Sequence, residues 1–88
     1  MTSEQMLEHA GSVIAERGAA YGDAATSMAA IAARWSLTLG HPVTPAQVVL
    51  CMIDVKLVRL THDPNRHDSI ADVIGYAALL PEVTPRGD

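Results

Sequence analysis

Five charged side chains in the second half of the chain are spaced so that they could act together. Lys56, Arg59 and Asp63 follow one another at intervals of three and four, which puts them on one face of a helix. Asp68 and Asp72 stand four apart and project the same way from the start of the next helix. Two cations on an otherwise apolar helix require an anion. A phosphate is one such anion, which arginine grips bidentately and lysine meets as a point charge. The acids suit Mg²⁺ that keeps most of its waters, the arrangement in which a phosphate substrate completes the shell. Tyr21 and Tyr76 each lie beside a glycine, where a ring can be exposed to stack a base or close a groove. Lys56 and Arg59 are therefore candidate phosphate ligands, Asp68 and Asp72 candidate Mg²⁺ ligands, and Tyr21 and Tyr76 candidate groove walls. No residue is singled out as catalytic.

Plainer readings account for the same residues. Lys56 and Arg59 can pair with Asp68 or Asp72 across the two helices, the lysine stem snorkelling to water. Asp68 can cap a helix and Asp72 can complete its capping box with Ser69. Either tyrosine can be an ordinary half-buried core residue. His62 and His67 flank the corner between the helices but lack the tight spacing of zinc ligands. Cys51, among Leu50, Met52 and Ile53, reads as a buried small hydrophobe rather than a nucleophile. Asp23 and Asp54 are further acids that nothing in the sequence places beside the pair.

Four helices must position these groups. Thr2 with Gln5 three residues later forms a capping-box pattern, and Met6, Leu7, Ala10, Val13 and Ile14 recur at helical spacing, so a first helix is expected from Ser3 to Arg17, ended by Gly18. Asp23 is placed to cap a second helix from Ala24 to Leu39, with Gly40 as its left-handed stop. Thr44-Pro45-Ala46-Gln47 supplies an N-cap, a proline at the first helical position and a capping box. Val43 and Val48 add a hydrophobic staple, so a third helix should run from Pro45 to about His62, where Pro64 prevents its continuation. This helix is apolar on nearly every side and should be covered over most of its circumference. Ser69 and Asp72 box the start of a fourth, which Pro81 closes. Residues 82–88 read as a loose tail.

The chain has 88 residues and a formal net charge of −4 at pH 7. That length makes one domain, residues 1–81, in a compact all-α fold. Many of its apolar residues are alanine, so the core is thin, and completion of a bundle as a homodimer is expected. The acidic balance excludes a nonspecific grip on nucleic-acid phosphates. No apolar run is long enough to span a bilayer and no secretory leader opens the chain, so a cytoplasmic location is expected.

Tyr21-Gly22-Asp23, Trp35, Thr44-Pro45, Met52, Lys56-x-x-Arg59, Asp68-Ser69-x-x-Asp72 and Gly75-Tyr76-Ala77, in this order and spacing, resemble a family of small phage and prophage proteins of unassigned function. That family in turn looks distantly similar to the MazG-like all-α nucleotide pyrophosphohydrolases. The resemblance implies Mg²⁺-dependent handling of a nucleoside triphosphate in a helical bundle completed by a second subunit, in the host cytosol. Asp68 and Asp72 stand where the late acidic pair of those enzymes would be, four apart rather than three. The earlier glutamate-rich motif is replaced by Asp54, Lys56 and Arg59, so binding is implied more directly than cleavage. The alternative from another class is a non-catalytic acidic interaction protein, such as a phage-encoded inhibitor of a host defence or regulatory protein. The nucleotide reading expects Lys56, Arg59, Asp68 and Asp72 to meet in one pocket open to solvent.

Overall fold

A computed structural model describes residues 1–85, which form α1 (Ser3–Tyr21), α2 (Ala24–Leu39), α3 (Pro45–His62) and α4 (His67–Val83). Helix α4 is the hub: it packs against each of the other three, while α1 rests chiefly on α4. Burial divides accordingly. Met28, Ala32, Val48, Val49 and Leu79 join α2, α3 and α4, with Ile31, Trp35, Met52, Tyr76 and Val83 packed around them. Met6, Ala10 and Ala71 join α1 to α4 in a smaller cluster. Among the described residues there is no strand, and no helix is long and apolar enough to cross a membrane.

The starts of α1, α2 and α3 follow their local chemistry. Thr2 and Gln5 exchange both bonds of a capping box, and Thr44 and Gln47 do the same above Pro45. The Asp23 carboxylate accepts from the Thr26 backbone N–H at 3.2 Å and from its hydroxyl at 2.7 Å. Gly40 ends α2 in the left-handed region, at φ 75°. Ser36 then ties the α2–α3 connection down, donating to the Ala32 carbonyl and accepting from the Val43 N–H.

Five expectations need correction. Helix α1 does not stop at Gly18 but runs another turn to Tyr21 and ends at Gly22, φ 82°, whose N–H donates to the Gly18 carbonyl. A glycine inside a helix costs only about 1 kcal/mol, so it does not by itself end one. Helix α4 begins at His67, ahead of the expected box, and Ser69 does not cap it. The corner closes earlier: Asp63 accepts from the Asn65 N–H through its carboxylate and from the Arg66 N–H through its carbonyl. Nor does Pro81 end α4, which continues to Val83 because Leu80 and Val83 still have core to cover. Of the expected tail, 86–88 lie outside the described residues. Finally, α3 is not covered around most of its girth. Leu50, Val55, Leu57 and Val58 are exposed, and so is Cys51, which sits on that same open face rather than in the core.

Candidate functional site

Asp72 is buried on α4, and its two carboxylate oxygens face different helices. Oδ1 lies 3.1 Å from Nη2 of Arg17 on α1, and Oδ2 lies 3.1 Å from Nζ of Lys56 on α3. The three groups do not share one environment. The side chains of Asp72 and Lys56 are 9% and 13% exposed, whereas that of Arg17 is 54% exposed and reaches water. Burial of a carboxylate is costly without compensating charge, and here two cations supply it. The result is a bridge that holds α1 and α3 to the hub helix.

Beside the bridge lies a groove of about 680 Å³ between the last turns of α1, the start of α2 and the stretch of α4 from Ala71 to Glu82. Arg17 and Asp72 form part of its wall, with Tyr21, Tyr76, Asp23 and Glu82 around them. Apolar surface from Val13, Ile14, Met28 and Leu79 lines the rest. Tyr21 is 81% exposed, held out by the extra turn of α1, whereas Tyr76 is half-buried with its body against the α2–α3–α4 core. Such a space is of the size that small-molecule sites occupy, with an apolar lining and a few converging polar groups. Asp23 bears on both fold and groove, since its bonds to the Thr26 hydroxyl and backbone hold its carboxyl below the usual carboxylate range.

The structure gathers some of the expected residues and separates others. Tyr21, Tyr76 and Asp72 share the groove, and Lys56 stands behind Asp72. Arg59 is exposed on α3 and belongs to neither groove nor bridge. Asp68 is exposed as well. Its carboxyl is held below the usual range by the Ser69 backbone N–H, aided by the charge of Arg66 at 3.7 Å. Asp68 and Asp72 thus face different surroundings, and Mg²⁺ on Asp72 would have to displace a cation already there. Among the described residues, no three His, Cys, Asp or Glu side chains converge as a metal site.

Arg17 is the residue that sequence reasoning missed. The signal was present: it follows Ile14 by three and Val13 by four, so it is the lone strong cation on the apolar stripe of α1. Ser69 is a second surprise, completely buried with no hydrogen-bond partner for its hydroxyl.

A protein-family model described as "Domain of unknown function (DUF6378)" matches residues 5–84. A curated relative, the "Gene 55 protein" of Mycobacterium phage L5, is 33% identical over 66 residues, covering 74% of this chain. The match takes in 42% of that phage protein, so the chain spans less than half of its relative's length. No solved structure matches.

Proposed function

The chain belongs to the DUF6378 family, and from that footing we propose that it is a phage-type nucleotide-handling protein that binds a nucleoside phosphate in the groove between α1, α2 and α4. One observation carries the reading: Arg17, half in water, and two tyrosines, one fully presented, line the same ligand-sized space. In this arrangement Tyr21 and Tyr76 take the base and Arg17 takes a phosphate. Asp72 and Lys56 act from behind by orienting the guanidinium. Arg59, exposed on α3 and absent from the groove wall, is left out of it. The ligand class is the one that the resemblance of the sequence motifs to the MazG-like enzymes implies.

Asp23 and Glu82 also line the groove and would repel a bare polyphosphate. Mg²⁺ carried in on the nucleotide removes most of that repulsion, which makes binding depend on the ion without a resident metal. Asp72, with both oxygens committed to cations, serves as an orienting group. Binding rather than hydrolysis is accordingly the activity proposed.

Differential scanning fluorimetry with nucleoside mono- and triphosphates, with and without Mg²⁺, tests this. A ligand present at about 100 times its dissociation constant stabilises the fold by about 2.7 kcal/mol, a shift easily read. Arg17→Gln and Tyr21→Ala should each abolish the shift while leaving the unliganded melting temperature almost unchanged. No shift with any nucleotide would refute the reading.

A second reading, the acidic interaction protein, draws on the same groove. Three acids stand there against one arginine, in a chain of net charge −4, so a basic segment of a partner protein would be attracted. Retention of a basic peptide, lost at high salt and in Glu82→Gln, favours this reading over the nucleotide.

A further inference from the structure

The open face of α3 has an internal pattern. Cys51, Val55, Val58 and His62 are all exposed and recur at spacings of four, three and four, the seam of a two-stranded helical coil. Asp54 and Arg59 flank that seam on opposite sides, five residues apart. Both are exposed, and neither forms an ion pair among the described residues. Five is the separation at which a flanking residue of one helix meets the opposite flank of a parallel partner.

We infer that the outer face of α3 is a self-association surface on which a second copy of this chain packs its own α3, parallel and in register. Val55 and Val58 then meet their counterparts across the two-fold axis. Asp54 of each copy faces Arg59 of the other, so one interface forms two reciprocal ion pairs. An antiparallel pairing brings like flanks together and leaves all four charges uncompensated. The thin core of the single chain adds a reason for association, since the seam shows Val55 and Val58 to water at 45% and 60% exposure. Val48, which would extend the seam, is already buried in the chain's own core, so the contact starts at Cys51 and covers about three turns. Such a short contact gives a concentration-dependent dimer. It lies off the groove and does not depend on the nucleotide reading.

Sedimentation equilibrium of the full chain over about a hundredfold range of concentration should show monomer passing to dimer. A short bismaleimide should join the two copies through Cys51, which parallel register brings to the same level. Asp54→Arg and Arg59→Asp should each weaken the dimer about tenfold by opposing like charges, and the double variant should recover most of the loss. Circular dichroism at low concentration checks that each variant still folds as a monomer. Purely monomeric protein, a dimer with no Cys51 cross-link, or a double variant as weak as its two singles combined would each overturn the inference.

Discussion

Asp72→Asn is the sharpest perturbation of this fold, because it removes one charge from a site that two cations share. Its cost can be worked from exposure. The Asp72–Lys56 pair is nearly excluded from water, at 9% and 13%, and loss of one partner from a buried pair costs about 3–5 kcal/mol. The Arg17 arm, 54% exposed, behaves as a surface pair worth about 0–1 kcal/mol. Asparagine still offers an oxygen to one cation, which places the expected loss near the low end, about 3 kcal/mol. For a domain of this size that is a fall of roughly 15 °C in melting temperature. Urea unfolding followed by far-ultraviolet circular dichroism, at one fixed protein concentration, measures it. Arg17→Gln should cost about 0.5 kcal/mol in the same assay. Lys56→Met should recover about 2 kcal/mol when added to Asp72→Asn, because the stranded buried ammonium is gone. If Asp72→Asn changed stability by less than about 0.5 kcal/mol, or Arg17→Gln cost as much as Asp72→Asn, the division of labour argued here would be wrong.

Gly18 and Gly22 should respond oppositely to alanine. Gly18→Ala meets open space inside a helix and should stabilise by about 0.5–1 kcal/mol, while Gly22→Ala must hold φ 82°, ψ −158° and should cost about 1–3 kcal/mol; thermal melts of the pair decide. Ser69→Ala removes a buried hydroxyl that has no partner, so urea unfolding should show it neutral or slightly more stable than the parent. Asp23 and Asp68 both have folded-state carboxyls below the ordinary range, so their contribution is present above the unfolded value near pH 4. It is lost as pH falls through the lower folded values, and an acid titration of melting temperature should be shallower in Asp23→Asn.

Local chemistry was legible in the chain itself. Each of the three N-caps at Thr2, Asp23 and Thr44 is completed within three residues, so no distant contact is needed to read it. The same holds for Gly40. The α1 ending was misread because a glycine inside a helix costs too little to stop it, and the α4 beginning because Asp63 closes the corner ahead of the box. Asp72 could complete a capping box, but an anion among two cations gains more from the bridge, which links residues 17, 56 and 72 through three helices. Sequence spacing grouped Lys56 with Arg59 and Asp68 with Asp72, since each pair lies on one helix face.

What the sequence by itself determined is therefore the number of helices, most of their ends and the residue types available for a site. Tertiary structure alone decided which of those residues meet. Spacing along one helix says which side chains share a face, but the neighbour that face receives depends on how the hub helix is packed. Packing around α4 brought Arg17 to Asp72, left Arg59 and Asp68 in water, and opened the groove that Tyr21 and Tyr76 line.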